Sequence, residues 1–216
     1  MTTISFYFDP ISPYAYLAAS QLDAIATETS CSIEPIPILL AAVLNQLGQK
    51  GPAEIEIKRR YTMLDVLRWA DTYQLPLVGP PTHPFNPLLP LRVLTAIGDP
   101  RARWSATKRL LEAAWGEGRD LTVAAVLVGA LHERGLDGEA YLQQAQDPVI
   151  KSELRQNTET AMGCGVFGVP TCRVGEVIFW GNDRLSFLNA HLLGTLPAVD
   201  EGRLQSLISR PASAMR

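Results

Sequence analysis

The residues best placed to do chemistry are Ser12-Pro13-Tyr14, which directly follow the strand-like run Ile4-Ser5-Phe6-Tyr7-Phe8-Asp9. Ser12 fits a helix N-cap, and Pro13 fits the first helical position, where its missing N–H costs nothing. A strand, a short turn and a helix in that order aim a hydroxyl at the positive end of a helix, where an anion is stabilised. Such a serine either caps its helix or activates a negatively charged group, and the second reading needs a further signal elsewhere in the chain. Metal and thiol chemistry do not supply it. His83, His132 and His191 are scattered, and no His-x-x-x-His or Cys/His cluster exists, so no zinc site is expected. Cys31, Cys164 and Cys172 include no Cys-x-x-Cys pair, and an odd count argues for free thiols in a reducing compartment.

The elements that must position Ser12 come from a chain of 216 residues, long enough for one large domain or two small ones. With 47% hydrophobic and 19% charged residues it can bury a sizeable core. The formal net charge of -3 and the absence of a basic run argue against nucleic-acid binding. The longest nearly apolar stretch, Leu121 to Leu131, is too short to span a bilayer, and no basic region followed by an apolar one opens the chain. A cytoplasmic protein without membrane partners is expected.

Thr3 to Phe8 read as a strand and Pro13 to about Glu28 as a helix, with Tyr14, Leu17, Ala18, Leu22 and Ile25 on its buried face. Cys31 to Ile38 alternates polar and apolar, and its Pro35 and Pro37 suit an edge strand or a strand end. This β-α-β start predicts a parallel pair with a right-handed crossover. Helices are then predicted over Leu39 to Leu47, Ala53 to about Tyr73, Leu88 to Ile97, Pro100 to Trp115, Val123 to Arg134, about Asp137 to Ala145, and Asp147 to about Met162. Ile57, Tyr61, Leu64 and Leu67 share one face of the second of these. The prolines between Leu75 and Pro90 keep that segment largely non-helical at first. Strands return at Thr171 to Val174 and Val177 to Trp180, around a Gly175-Glu176 turn. Asn182 or Asp183 then caps a last core helix, Leu185 to Leu193, and Arg203 to Ser209 reads as one more helical turn. Neither end has enough strands for a stable sheet alone, so the two ends are expected to share one. The expected organisation is α/β: a discontinuous domain of residues 1-38 and 165-197, an inserted all-helical domain at 39-164, and a tail at 198-216.

The further signal for Ser12 is Gly165-Val166-Phe167-Gly168-Val169-Pro170-Thr171, just before the hairpin. Ser-Pro-Tyr after the first strand, paired with Gly-Val-Pro-Thr before a hairpin, resembles the thioredoxin-like superfamily. That resemblance implies a cis Val169-Pro170 bond facing the active-site helix. The helical insertion narrows it to the disulfide-oxidoreductase-A branch. Within that branch the chain resembles the 2-hydroxychromene-2-carboxylate isomerase family, related to kappa-class glutathione transferases. The matching pieces span nearly the whole chain: Phe6-Tyr7-Phe8-Asp9 with Ser12-Pro13-Tyr14; Lys58-Arg59 with Tyr61, Asp65 and Arg68-Trp69-Ala70; Pro84-Phe85-Asn86; Gly168-Val169-Pro170-Thr171; and Phe179-Trp180-Gly181-Asn182-Asp183-Arg184-Leu185. Gln49 stands where kappa-class relatives usually carry asparagine, and Asn182 where relatives often carry serine or glutamine.

A redox thioredoxin needs a thiolate at the helix N-terminus and a resolving thiol three residues on. Here those positions are Ser12 and Ala15, so the sulfur must be borrowed, and the resemblance implies glutathione as cofactor. It implies that catalytic Ser12 donates its hydroxyl to the glutathione thiolate, and that Gln49, Lys58, Val169, Pro170, Asn182 and Asp183 complete the cofactor site. The Val169 backbone would pair with the cysteinyl backbone, and Asn182 and Asp183 would hold the γ-glutamyl end. Lys58 would meet a carboxylate of the cofactor or the substrate, and Asn86 would line the substrate pocket. Tyr61, Trp69 and Phe85 read as core or pocket wall, His83 receives no role, and Cys172 is a weak redox candidate. The implied function is glutathione-dependent cis-trans isomerisation between 2-hydroxychromene-2-carboxylate and trans-o-hydroxybenzylidenepyruvate, in aromatic catabolism. The alternatives are a kappa-like transferase or peroxidase and a non-catalytic thioredoxin-like peptide binder. The partners implied are a small aromatic-derived carboxylate and, through the helical domain, a second copy of the chain.

Overall fold

Along β1 (Thr3–Phe8), Ile4, Phe6 and Phe8 alternate with Ser5 and Tyr7, so the strand presents an apolar surface to each side of a sheet. β2 (Ser32–Pro37) lies parallel to it, from Thr3 opposite Ser32 to Phe8 opposite Pro37. β3 (Thr171–Val174) pairs antiparallel with β1, Tyr7 opposite Thr171, and β4 (Val177–Trp180) pairs antiparallel with β3. The order is β2-β1-β3-β4, so Pro35 and Pro37 sit on an edge strand, where their missing N–H groups cost little. In the computed structural model, residues 1–211 are described. Among them every strand comes from one of the two chain ends, and the intervening segment is helical.

The helices are α1 (Pro13–Glu28), α2 (Leu40–Gln46), α3 (Glu56–Tyr73), α4 (Leu88–Ala96), α5 (Pro100–Leu111), α6 (Ala124–His132), α7 (Gly138–Gln144), α8 (Pro148–Gly163), α9 (Leu185–Leu192) and α10 (Glu201–Ile208). A π turn, Glu112–Gly116, continues α5. Ile4, Phe6, Phe8, Cys172 and Phe179 form one sheet face, which packs in a single core with α1 and with Trp104, Leu110 and Trp115 of the helical segment. On the opposite face Tyr7 packs with Val43 of α2, Ala161 of α8, and Val166 and Val169. Helix α1 is buried on a second side too, where Leu17 meets Val66 and Ala70 of α3. Its run of Ala15, Ala18 and Ala19 suits this position, because small side chains let helix and sheet approach closely. None of the helices is long and apolar enough to cross a membrane.

Two local expectations are corrected. The stripe of Ile57, Tyr61, Leu64 and Leu67 is the exposed side of α3, with Ile57 81% and Tyr61 64% exposed. Tyr61 is therefore not a core residue. Periodicity finds a stripe but not which side is covered, and the small Val66 and Ala70 won the closer contact. Asn182 does not cap a helix either. Asn182–Arg184 form a 3-10 turn running into α9, with Gly181 at the N-cap position at φ 101. That turn needs glycine, since a Cβ there would meet Asp183 Oδ1 at 2.5 Å. Of the tail, α10 is described and residues 212–216 lie outside the described residues.

Candidate active site

β1 delivers the chain to Asp9, whose side chain is fully buried. One carboxylate oxygen accepts the Ile11 N–H at 3.0 Å, and the other accepts the Leu40 N–H at the start of α2, also at 3.0 Å. Burial pushes the Asp9 carboxyl up to about 7, against the two hydrogen bonds that favour its charge. The Asp9 carbonyl accepts the Ser12 N–H at 3.0 Å, which closes the turn. Ser12 has extended dihedrals (φ -91, ψ 118), and α1 starts at Pro13 as the proline dictates. Ser12 occupies the cap position, yet its side chain makes no capping hydrogen bond. A serine hydroxyl at the positive end of a 16-residue helix is thus not committed to the helix itself.

Before β3, the Val169-Pro170 peptide is cis. Pro170 carbonyl accepts the Gly181 N–H at 2.9 Å, and Thr171 Oγ1 donates to the Gly168 carbonyl at 2.7 Å. The loop is held on both sides of Val169, whose own N–H and C=O have no backbone partner among the described residues. Gly168 is also sterically required: a Cβ there would meet Trp180 Nε1 at 2.6 Å. The Trp180 indole stacks edge-on to Phe167 at 4.8 Å, and both rings are about half exposed.

A third group joins these elements from α3. Tyr14, two residues after Ser12, donates its hydroxyl to Asp65 at 2.8 Å. Its pKa is raised by burial first, then by the Asp65 carboxylate and by Asp183. The Tyr73 hydroxyl is likewise raised by burial and by Asp183, and Asn182 opposes this. Asn182 is 3% exposed and its amide nitrogen has no hydrogen-bond partner, while Asp183 is exposed and pairs with Arg184. The Asn182 amide nitrogen faces the Tyr73 hydroxyl, outside ideal hydrogen-bond geometry.

The other expected site residues are exposed. Gln49 lies in the loop after α2. Lys58 is on α3, seven residues before Asp65 and so on the same stripe of the helix. A depression of about 580 Å³ runs along the first turns of α3, lined by Glu56, Ile57, Arg59, Arg60 and Met63. It holds none of the expected site residues. The Asn86 side-chain oxygen accepts the Leu88 N–H at 3.1 Å at the start of α4. Cys172 lies in the core on the face of Phe6 and Phe179, and burial pushes its thiol up to about 12, which removes it as a redox candidate.

Sequence reasoning gave no role to Asp9 or Tyr73, which the structure places next to Ser12 and Asn182. Asp9 carried a readable signal, since a carboxylate ending an apolar strand must find buried partners. Nothing local marks Tyr73.

The profile of DSBA-like thioredoxin domains matches residues 3–193. Among curated proteins, the 2-hydroxychromene-2-carboxylate isomerase of Sphingobium xenophagum is 37% identical over 193 residues, covering 88% of this chain and 98% of its own. Glutathione S-transferase kappa 1 of Homo sapiens is 26% identical, covering 89% of this chain and 91% of its own. A solved 2-hydroxychromene-2-carboxylate isomerase superposes with a TM-score of 0.81 at 28% identity, over 96% of this chain and all of the other. The chain therefore belongs to the DsbA-like thioredoxin family and, within it, to the 2-hydroxychromene-2-carboxylate isomerase family.

Proposed function

We propose that this protein is a glutathione-dependent isomerase that interconverts 2-hydroxychromene-2-carboxylate and trans-o-hydroxybenzylidenepyruvate. The observation that carries the reading is the uncommitted Ser12 hydroxyl at the start of α1, in a chain 37% identical to an isomerase of that name. Glutathione suits the residues present on three counts. The unpaired Val169 backbone can take an extended cysteinyl backbone by β-addition, the Asn182 amide beside the Tyr73 hydroxyl can donate to a carboxylate, and Asp183 can accept from an ammonium. Bound glutathione would supply a thiolate whose reversible addition to a conjugated substrate turns a double bond into a rotatable single bond. Ser12 would donate its hydroxyl to the sulfur, and the amides at the start of α1 would add fixed positive potential, so both hold the sulfur in its charged form at neutral pH. Lys58 would attract the substrate carboxylate from the exposed end of α3, with Arg59 and Arg60 beside it. A homodimer and a cytoplasmic location belong to the same reading.

The experiment is the pH–rate profile and glutathione affinity of Ser12→Ala. A hydrogen bond to a charged acceptor contributes about 1.5–3 kcal/mol, so the bound thiol's pKa should rise by about one to two. Glutathione should still bind through Val169, Asn182 and Asp183. Turnover near neutral pH should fall and partly return at higher pH. Full activity with an unchanged profile would make Ser12 a structural residue and sink the reading. Glutathione measured before and after turnover separates the isomerase, which regenerates it, from a transferase or peroxidase, which consumes it.

A further inference from the structure

Two successive peptide planes lead into Ser12, and all four of their polar atoms are hydrogen bonded. In the plane between Pro10 and Ile11, the carbonyl accepts Trp115 Nε1–H at 2.9 Å and the N–H donates to Asp9 Oδ1 at 3.0 Å. In the plane between Ile11 and Ser12, the carbonyl meets His83 Nε2 at 3.0 Å and the N–H donates to the Asp9 carbonyl at 3.0 Å. Asp9 belongs to the same strand end. His83 and Trp115 come from the helical segment and pack on each other edge to face at 5.1 Å. Trp115 stands on the π turn that continues α5, a local widening that re-aims side chains. Its carbonyl also accepts the Val78 and Gly79 N–H groups at 2.8 and 2.9 Å, which ties down the segment leading to His83.

We propose that His83 and Trp115 are positioning residues for Ser12: they grip the two peptide planes before the serine and so fix the place from which its hydroxyl acts. The inference rests on the role given to Ser12 above. A carbonyl accepts only from an N–H, so His83 must carry its proton on Nε2. Nδ1 is then left bare, and it is buried without a partner. Burial and the Arg59 charge both hold His83 below its ordinary pKa, which keeps that tautomer neutral. Fixing a hydroxyl in advance matters because a donor that must search for its acceptor spends part of the interaction on ordering itself.

The unmodified protein provides the first test, because ¹⁵N NMR of the histidine ring reads the tautomer directly. A bare Nδ1 with a protonated Nε2 is expected, and a protonated Nδ1 would overturn the proposal. The second test compares His83→Gln, which keeps a donor at nearly the same place, with His83→Phe, which keeps a ring against Trp115 without one. Loss of one hydrogen bond corresponds to a kcat lower by a few-fold to about tenfold. His83→Phe should show that loss with the glutathione Kd unchanged. It should also show faster amide hydrogen exchange at Ile11 and Ser12, a readout that needs no glutathione. His83→Gln should recover most of both. Equal loss in the two variants, or no change in exchange, would leave His83 a packing residue and overturn the proposal. Adding Ser12→Ala separates the two readings. If Ser12→Ala alone costs nothing, the serine's role fails. If Ser12→Ala is costly but His83→Phe costs the same with and without it, the serine's role stands and the positioning role fails.

Discussion

Replacing Asp9 by asparagine should remove a loss of stability that the wild type suffers as pH rises. The side chain is fully buried, and its carboxyl is lifted from the ordinary 3.8 to about 7. Between those values the folded chain keeps a proton that the unfolded chain has released, so the wild type loses stability as pH rises. The contribution is fully present below about pH 4 and gone once pH passes about 7. At 1.36 kcal/mol per pH unit the rise amounts to roughly 4 kcal/mol. Asparagine has nearly the shape of the protonated acid but only one acceptor oxygen, so one of the Ile11 and Leu40 amides then faces an NH₂ group. That costs about 1–3 kcal/mol at every pH, and asparagine should be the less stable by that amount near pH 4.5. By pH 8 the difference should have moved toward asparagine by about 3 kcal/mol. Urea denaturation of both proteins from pH 4.5 to 8.5 reads the difference, and the remaining carboxylates cancel. A difference that stays flat across that range would mean that Asp9 ionises as an ordinary surface carboxylate and that the buried turn is wrongly described.

Three further outcomes are expected. Gly168→Ala should destabilise by about 1–3 kcal/mol, since its methyl would strike the Trp180 indole at 2.6 Å, and a melting temperature within a degree of wild type would contradict that clash. Arg109, 4% exposed, is shared by Glu112, Glu117 and Glu133, all partly exposed, so Arg109→Ala should lower the chemical-denaturation midpoint, more at low salt than at high salt, and an unchanged midpoint would show that the network adds nothing to stability. Cys172 should resist a thiol reagent in the native protein at pH 8 and react only as the chain unfolds, whereas rapid native labelling would mean the core at Phe6 and Phe179 is open.

Much of the architecture was readable from local pattern. Alternation in Thr3 to Phe8, the edge-tolerant prolines Pro35 and Pro37 in Ser32 to Pro37, and the Gly175-Glu176 turn locate the four strands, because strand faces and edges constrain side chains directly. Ser12, Val169, Asn182 and Asp183 were reached through paired motifs at the two chain ends. The misses share one cause. His83 meets Ile11 across 72 residues and Trp115 meets Pro10 across 105, and no short-range periodicity reports such contacts. For the same reason the spacing on α3 could not tell the covered side from the bare one.

The pairing of Tyr7 with Thr171 has a consequence during synthesis. β1, second of four across the sheet, is made about 160 residues before one of its neighbours, roughly 10–30 seconds at ordinary elongation rates. For most of that interval an apolar strand carrying Ile4, Phe6 and Phe8 has β2 on one side and an open row of amides on the other. The nascent chain must keep that edge from other strands, and the helices made in between are at hand to cover it.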